Sequence, residues 1–318
     1  MNKIVALDGY TLNPGDLSWD NIGVHGALEV YNRSTIEQAK ERVQNAQVLI
    51  VNKFVLDQDF LQHCDSLKLV CISATGYNNV DLECCRSKNI AVCNVAGYST
   101  TGVAQHTFAM LLHWKNQVGK HNSLVNRGYW SICPDFSFTA SPIHELCGKT
   151  FGMLGYGDIA KQVGKIALAF GMRVIVCRHS DQPLADKTME KVDLETLFKE
   201  SDILSLHASL NESTKDIINK ASLSKMKKGL ILINTSRGGL INETDLAECL
   251  SNYGLEAALL DVLSEEPAPL HHPLFDIPNC IITPHIAWAS VQSRQRLMQS
   301  LAQNIAAFFA GKPKNLIN

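Results

Sequence analysis

The sequence predicts an α/β protein built from two domains, each a doubly wound parallel sheet. The chain has 318 residues, which is enough for about two domains that each bury a core. Short apolar runs alternate with helix-compatible stretches along most of its length, as in parallel sheets that helices cover on both faces. Hydrophobic residues make up 46% of the chain and charged residues 19%, which is typical of a globular protein.

Composition and charge argue against several classes of partner. The chain has 29 Lys and Arg residues and 31 Asp and Glu residues, so its charges nearly balance. It therefore lacks the excess of positive charge that would attract nucleic acid or an anionic membrane. No apolar run reaches the ~18 residues that a membrane span requires, and the N-terminus resembles a strand rather than a signal peptide. The ten cysteines are scattered and the His271–His272 pair has no companion ligands, so no metal site is expected. We expect a cytoplasmic protein.

The first domain is predicted from five short apolar runs. These runs cover residues 4–7, 28–31, 48–51, 69–73 and 90–95. Between the second and third runs, a helix is expected over residues 34–45, with Ser34 as its N-cap and Glu37 completing a capping box. None of these runs is followed by a glycine-rich turn of the kind that occurs further along the chain.

Residues 149–178 predict a strand, a glycine turn, a helix and a second strand in one unit. The turn carries Gly155-x-Gly157-x-x-Ala160, which is a dinucleotide-binding fingerprint when it joins a strand to a helix. Gly155 allows the tight turn, Gly157 lets backbone N–H groups approach a pyrophosphate, and Ala160 permits close packing of the helix on the strand. The positive end of the helix then faces the anion. A plain strand–helix turn is the alternative, because glycines also occur there.

Further strands and helices complete the second domain around this unit. Strands are expected over residues 203–206, 230–233, 257–262 and 280–283, and helices over residues 193–199 and 243–251. The final helix, over residues 290–310, carries an apolar stripe that is expected to pack back on the first domain. The second domain therefore covers residues 99–287, and the first comprises residues 1–98 and 288–318.

Residues 120–147 are predicted to form an irregular connection that is rich in aromatic side chains. Trp130, Phe136 and Phe138 lie within it. A surface loop is one interpretation, but connections of this length are unusual inside a compact domain. Exposed aromatic side chains are costly, so we favour an arm that packs on another subunit of a homodimer.

Three predicted strands of the second domain are followed by unusual polar stretches. Arg237 follows one strand, Glu266 the next and His285 the third. Ligands of doubly wound sheets bind beyond the carboxyl ends of the strands, so these side chains are expected to converge on one crevice. Each residue alone has a simpler interpretation, as a solvated loop charge for Arg237 or Glu266 and as a surface or core residue for His285.

Together, the motifs resemble a known enzyme family. The stretches that carry the likeness are ATGYNNVDL, NVAGYST, FGMLGYGDIA, INTSRGGLI, LDVLSEEP and TPHIAWAS. In this order they resemble the D-isomer-specific 2-hydroxyacid dehydrogenases over nearly the whole chain. Within that family, DGYTLNPGDLSW, VNKF and GYWSICPDF are most similar to the glycerate dehydrogenase, or hydroxypyruvate reductase, branch.

The resemblance implies a fold and an activity. The implied fold is a Rossmann-type NAD(P)-binding domain inserted into a flavodoxin-like substrate domain. The implied reaction is hydride transfer between NAD(P)H and a small 2-keto acid, with hydroxypyruvate giving D-glycerate as the first expectation and glyoxylate as the second substrate. A phosphoglycerate dehydrogenase and a dinucleotide-sensing scaffold similar to the family's corepressors are the alternatives. The resemblance also implies a homodimer.

The resemblance assigns roles to the three polar side chains. His285 is expected to be the general acid in ketone reduction and the base in alcohol oxidation, since imidazole titrates near neutral pH. Glu266, rather than its neighbour Glu265, is expected to hydrogen-bond the other ring nitrogen and favour the protonated form. Arg237 is expected to hold the substrate carboxylate and carbonyl oxygen through its planar fork.

Further residues are expected to contact the substrate and the cofactor. Backbone N–H groups of Thr75 and Gly76 are expected to hold the substrate carboxylate, and Trp288 to exclude large side chains. The implied cofactor contacts are Gly155, Gly157, Asp158, Ile159, Arg178, His179, His207, Ala208, Thr235, Ser236 and Asp261. Arg178 stands where the family usually places an Asp for the ribose 2′-hydroxyl, which favours NADP(H) over NAD(H). For His207, a structural role is an equal alternative.

Overall fold

A computed structural model describes residues 1–180 and 182–318 and divides them into two compact units. The first unit comprises Met1–Ser99 and Ala289–Asn318, and the second comprises Thr100–Trp288. Each unit contains one sheet whose strands all run parallel. The α/β class with two parallel sheets that the sequence predicts is therefore confirmed.

The sheet of the first unit has the strand order of a flavodoxin-like fold. Its strands are β1 (Lys3–Ala6), β2 (Ala27–Val30), β3 (Val48–Val51), β4 (Leu69–Ile72) and β5 (Ala91–Cys93). They lie side by side in the order β2-β1-β3-β4-β5. Every residue of β3 and β4 is buried, because helices cover both faces of the sheet and its central strands must be apolar throughout.

Five helices accompany this sheet in the described part of the first unit. They are α1 (Asp20–Gly23), α2 (Ile36–Arg42), α3 (Gln58–Leu61), α4 (Leu82–Ser87) and α11 (Val291–Phe309). The final helix, α11, packs against α1 and β4, so the end of the chain completes the first unit. Its N-cap is Ser290, which accepts a hydrogen bond from the Ser293 N–H.

The capping box predicted at the start of α2 is wrong by one residue. Thr35 is the N-cap, and its partner is Gln38 rather than Glu37. The Ser34 hydroxyl instead donates to the carbonyl oxygen of Leu7 at 2.6 Å and accepts from Nη1 of Arg42 at 2.6 Å. The side chain that looked like a cap therefore connects the loop to β1, and the helix begins one residue later.

The second sheet has the strand order of a Rossmann-type fold. Its described strands are β6 (Thr150–Leu154), β7 (Arg173–Cys177), β8 (Glu190–Lys191), β9 (Ile203–Leu206), β10 (Ile231–Asn234), β11 (Ala257–Leu260) and β12 (Cys280–Ile282). They are ordered β12-β11-β10-β9-β6-β7-β8. The chain runs outward from β6 to β8 and then returns to β9 on the other side of β6. The direction of winding therefore reverses between β6 and β9, which is where ligands of such sheets bind.

The described helices of the second unit alternate with its strands or precede them. They are α5 (Thr100–Asn116), α6 (Val118–Asn126), α7 (Asp158–Ala169), α8 (Leu194–Glu200), α9 (Lys220–Leu223) and α10 (Glu243–Ser251), with a short 3-10 turn at Gly238–Leu240. α5 packs against α7 on one face of the sheet. In the described ranges, no helix is long and apolar enough to cross a membrane.

The prediction of an irregular connection from residue 120 is wrong for its first part. α6 occupies Val118–Asn126, and Gln117 separates it from α5 with a left-handed backbone, φ 47°. None of the residues of α6 is buried, so this helix has no apolar stripe that could have revealed it. Beyond α6 the chain is irregular, and the side chain of Trp130 is 52% exposed and that of Phe136 is 90% exposed.

Candidate active site

The predicted catalytic residues follow three neighbouring strands. Arg237 comes after β10, Glu266 after β11 and His285 after β12. These strands are parallel and adjacent in the sheet, so their carboxyl ends lie at one edge. All three residues belong to the second unit.

His285 and Glu266 form a direct pair. Nδ1 of His285 is 2.7 Å from Oε2 of Glu266, and their side chains are 27% and 32% exposed. Oε1 of Glu266 accepts a hydrogen bond from the Leu263 N–H at 3.1 Å, so both carboxylate oxygens are fixed. His285 has a left-handed backbone, φ 53°, which is uncommon for a residue with a side chain. The contact with Glu266 therefore orients the ring through Nδ1 and leaves Nε2 as the nitrogen that could transfer a proton.

Asp261 organises the loop that carries His285. Its side chain is 1% exposed, and its carboxylate accepts hydrogen bonds from the N–H groups of Ile286 at 2.9 Å and Ala287 at 2.8 Å. The Thr283 hydroxyl donates to the carboxylate at 2.6 Å, and the Asp261 carbonyl accepts from the His285 N–H at 2.8 Å. Burial alone would raise the pKa of Asp261, but the donors to its carboxylate, with His106 on α5 foremost, hold it below its ordinary value. The resemblance implies that Asp261 contacts the cofactor. In the structure its carboxylate holds the backbone around His285.

His106 completes this network and was missed by the sequence analysis. It lies on α5, and its Nε2 is 3.0 Å from the Thr283 hydroxyl and 3.4 Å from Oδ1 of Asp261. The contact joins residues that are far apart in the chain. No local motif at His106 could have indicated it.

The loop that carries Arg237 is fixed by the buried side chain of Asn234. Nδ2 of Asn234 donates to the Arg237 carbonyl at 2.8 Å, and Oδ1 accepts from the Ser236 N–H at 3.0 Å. Nη1 of Arg237 donates to the Ser236 carbonyl at 2.7 Å. A guanidinium has five N–H donors, so this bond leaves donors for an anionic ligand.

The Arg237 loop packs directly on the segment that leads to Glu266. A Cβ atom added to Gly238 would lie 1.9 Å from the Leu263 carbonyl carbon and 2.2 Å from the Ser264 nitrogen. Only glycine permits this approach of two backbones. The structure thus brings together the His285–Glu266 pair and the loop that bears Arg237.

The glycine turn lies at the switch point of the second sheet. Gly155 has a φ of 102°, and a Cβ atom there would be 2.5 Å from the His207 carbonyl oxygen. Gly157 is the N-cap of α7, and a Cβ atom added to it would meet only open space. Asp158 begins the helix and forms an exposed ion pair with Lys161 at 3.0 Å. Both glycines therefore fit their expected tasks, since one permits the turn and the other leaves room in front of the helix.

Polar atoms beside this turn lack protein partners. Both ring nitrogens of His207 and the hydroxyl oxygen of Thr235 are buried without a hydrogen-bond partner among the described residues. Burial lowers the pKa of His207 to about 4, so the ring is neutral at physiological pH. Buried polar groups are rarely left unpaired, and these two residues follow the adjacent strands β9 and β10. The residues present therefore fit a polar ligand bound at the switch point.

Arg178 follows β7 beside the same turn. Its guanidinium lies 5.7 Å from the ring centroid of Tyr156, which stands between the two glycines. Nζ of Lys161 is 5.8 Å from the same ring. The turn thus has two cations near it, and the neighbouring His179 is exposed.

The other implied cofactor residues also follow strand ends. Ile159 is on the first turn of α7, Ala208 follows β9 and packs against the core, and Ser236 donates from its hydroxyl to the Leu206 carbonyl at 2.7 Å. All of these positions lie at the carboxyl edge of the second sheet.

Thr75 and Gly76 lie in the first unit, in the loop after β4. The Thr75 hydroxyl donates to the Val95 carbonyl at 2.9 Å, and the Thr75 carbonyl accepts from Nδ2 of Asn94 at 2.7 Å. This loop is therefore fixed to the segment after β5. Trp288 is the last residue of the second unit and is partly buried.

Comparison with known proteins identifies the family. The model of the D-isomer specific 2-hydroxyacid dehydrogenase NAD binding domain matches residues 108–287. The chain belongs to the D-isomer specific 2-hydroxyacid dehydrogenase family. The sequence-based identification of this family is thereby confirmed. As a member of it, the chain is an oxidoreductase that uses a nicotinamide dinucleotide.

Several known proteins are similar along most of the chain. A hydroxypyruvate reductase of Blautia hydrogenotrophica is 41% identical over 99% of each sequence. A glycerate dehydrogenase of Methylorubrum extorquens is 35% identical over 92% of each. Among solved structures, an acyclic imino acid reductase (Bsp5) in complex with NADPH and D-Arg has a TM-score of 0.85 and 32% identity, covering 99% of this chain and all of that one.

Proposed function

We propose that this dehydrogenase reduces hydroxypyruvate to D-glycerate, with glyoxylate as a second substrate. The observation that carries the proposal is the 2.7 Å contact between His285 and Glu266, at the edge of the sheet where the Arg237 loop also ends. An imidazole fixed by a carboxylate is suited to proton transfer, and a guanidinium is suited to holding a carboxylate. The relatives named hydroxypyruvate reductase and glycerate dehydrogenase support this choice of substrate.

In the proposed mechanism, His285 is the general acid. When bound, the reduced dinucleotide supplies a hydride to the carbonyl carbon of the keto acid. Nε2 of His285 gives a proton to the carbonyl oxygen, so that the ketone gains one hydride and one proton and becomes the alcohol. Glu266 holds Nδ1 and stabilises the positive charge that the ring carries before transfer. In the reverse direction, neutral His285 removes the hydroxyl proton.

Arg237 is proposed to position the substrate. Its planar fork would bind the substrate carboxylate and the carbonyl oxygen and thereby orient the carbonyl carbon for reduction. The backbone N–H groups of Thr75 and Gly76 are also proposed to contact substrate, and Trp288 to limit the size of the substrate. On this proposal, small keto acids are reduced and bulky ones are excluded.

NADP(H) is the cofactor we propose in preference to NAD(H). Arg178 places positive charge beside Tyr156, and a ribose 2′-phosphate carries the charge that would complement it. The imino acid reductase of similar fold is described as a complex with NADPH, which supports the proposal. An Arg178→Asp variant is expected to lose kcat/KM with NADPH and to gain it with NADH. A wild-type enzyme that strongly prefers NADH would contradict the preference.

A panel of keto acids tests the proposed substrate. Oxidation of NADPH and NADH is measured with hydroxypyruvate, glyoxylate, pyruvate, 3-phosphohydroxypyruvate and phenylpyruvate. We expect the highest kcat/KM with hydroxypyruvate, a lower value with glyoxylate and little turnover of phenylpyruvate. Preference for 3-phosphohydroxypyruvate would favour a phosphoglycerate dehydrogenase instead. Cofactor binding without turnover of any keto acid would favour a dinucleotide-sensing scaffold.

We also propose that the enzyme is a homodimer whose contact includes the irregular connection after α6. Five large apolar side chains in this connection are substantially exposed: Tyr129, Trp130, Ile132, Phe136 and Ile143. Their contact with a second copy of the chain would remove them from water. We propose the cytoplasm as its location.

A further inference from the structure

Glu243 makes two hydrogen bonds to one residue of the Glu266 loop. It is the first residue of α10, and its side chain is 11% exposed. Oε1 accepts from the Ser264 N–H at 2.7 Å, and Oε2 accepts from the Ser264 hydroxyl. Two bonds from one carboxylate fix both the backbone and the side chain of Ser264. The position at a helix N-terminus also favours the negative charge of Glu243.

His272 orients the carboxylate of Glu243. Its side chain is 3% exposed, and Nδ1 accepts a hydrogen bond from the Leu274 N–H at 3.3 Å. A nitrogen that accepts from an amide carries no proton, so the proton lies on Nε2. Nε2 then donates to Oε2 of Glu243 at 3.1 Å. The Glu243 carboxylate therefore has three donors and a single orientation.

The peptide that Glu243 holds lies directly beside the proposed catalytic residues. Leu263 donates its N–H to Oε1 of Glu266, and Ser264 is the next residue in the chain. On the other side, the backbone of Gly238, which follows Arg237, packs on the same peptide. The segment formed by Leu263 and Ser264 therefore contacts both the Glu266 carboxylate and the Arg237 loop.

We propose that Glu243 and His272 are positioning residues for this reaction, a role that rests on the function proposed above. They act on substrate only through Glu266, His285 and the Arg237 loop. Movement of the Ser264 peptide would displace the Leu263 N–H and turn the Glu266 carboxylate away from His285. A misplacement of ~1 Å at a reacting group can lower a rate by about 100-fold.

A double-mutant cycle tests the role of Glu243. With NADPH and hydroxypyruvate, Glu243→Ala is expected to lower kcat by about 10- to 100-fold while the Kd of NADPH is unchanged. In a Glu266→Ala background the same change is expected to lower kcat by about threefold or less, because the carboxylate is already absent and only the Arg237 loop can still be displaced. Equal losses in the two backgrounds would overturn the proposal. If Glu243→Ala does not fold, Glu243→Gln replaces it, since an amide offers one acceptor oxygen where the carboxylate offers two.

Variants of His272 separate positioning from packing. His272→Gln keeps an N–H donor near the place of Nε2 and is expected to retain kcat within about threefold, whereas His272→Phe fills the space without a donor and is expected to lose about tenfold. Equal kcat values in these two variants would contradict the role of the hydrogen bond. Glu248→Ala is the matched control, because Glu248 lies on the same helix in an exposed ion pair with Lys220 at 3.1 Å.

Two failures are distinguishable in these experiments. Absence of wild-type turnover with every keto acid would refute the proposed function, and the positioning role with it. Wild-type turnover together with an unaffected Glu243→Ala enzyme would refute the positioning role alone.

Discussion

At the scale of single residues, His285 combines an unusual backbone with a fixed side chain. A left-handed conformation costs a residue other than glycine ~1–2 kcal/mol. Its φ of 53° therefore requires support, and the hydrogen bonds from the loop to Asp261 supply it. Glu266 then fixes the ring. Such strain at a polar site is consistent with selection for function rather than for stability.

The two neighbouring glutamates are expected to behave differently. Glu266→Gln replaces a charge-assisted hydrogen bond to His285 with a neutral one and is expected to lower kcat by about 10- to 100-fold, which corresponds to ~1.5–3 kcal/mol. Glu265→Gln is expected to leave kcat within about twofold of wild type, since the carboxylate that contacts Nδ1 of His285 is that of Glu266. Steady-state kinetics of both variants with hydroxypyruvate measures the difference. A larger loss in Glu265→Gln would show that the assignment is wrong.

Burial of His207 is expected to make stability depend on pH. The folded chain lowers the pKa of this ring to about 4, and in the unfolded chain the pKa returns to ~6.5. Between these values the unfolded chain binds more protons, so the free energy of unfolding falls as the pH drops from ~6.5 to ~4. The difference in pKa corresponds to about 3 kcal/mol at most.

Urea unfolding of the wild type and of His207→Gln at several pH values measures this effect. Glutamine does not titrate, so the variant is expected to lose less stability than the wild type across this range. Identical losses in both proteins would mean that His207 is not held neutral by the fold.

At the scale of secondary-structure elements, the β6–α7 turn depends on two glycines in different ways. Gly155→Ala is expected to destabilise the fold by ~2 kcal/mol or more, since the new Cβ meets the His207 carbonyl and the φ is positive. Gly157→Ala is expected to change stability by less than ~0.5 kcal/mol, because its Cβ meets open space, but to weaken NADPH binding. Thermal unfolding and NADPH titration of both variants separate the two effects. Strong destabilisation by Gly157→Ala would contradict this division.

The elements predicted from the sequence are those with a strong apolar pattern. The runs over 48–51 and 203–206 match β3 and β9 at both ends, because central parallel strands are buried throughout. β8 has only two residues, both exposed, and α6 has no buried residue, so neither carries such a pattern. Their formation depends on neighbouring structure rather than on their own sequence.

At the scale of the whole molecule, the site residues that lie in sequence motifs could be predicted. The residues that hold them in place through hydrogen bonds could not. His285, Glu266 and Arg237 were predicted because parallel strands bring their ends to one edge. His106 and Glu243 lie on helices, and their partners lie elsewhere in the chain. A contact of that kind has no signature in a single sequence, since it depends on the packing of the helix on the sheet.

The proposed homodimer can be tested through the connection after α6. A variant with both Ile132→Asp and Phe136→Asp is expected to be a monomer, because these side chains are 82% and 90% exposed and would lie in the contact. Leu270→Asp is the matched control, since Leu270 is 85% exposed outside this connection. Light scattering during gel filtration measures the mass of each variant. A wild-type monomer, or an unchanged dimer in the double variant, would refute the proposed contact.

The most direct measurement of the central claim is kcat of His285→Asn with NADPH and hydroxypyruvate. If His285 is the general acid, kcat is expected to fall by about 10²- to 10⁴-fold while the Kd of NADPH stays within about threefold. His271→Asn, a change at an exposed histidine, is expected to retain wild-type kcat. A His285→Asn enzyme that keeps more than about a third of wild-type kcat would contradict the proposed mechanism.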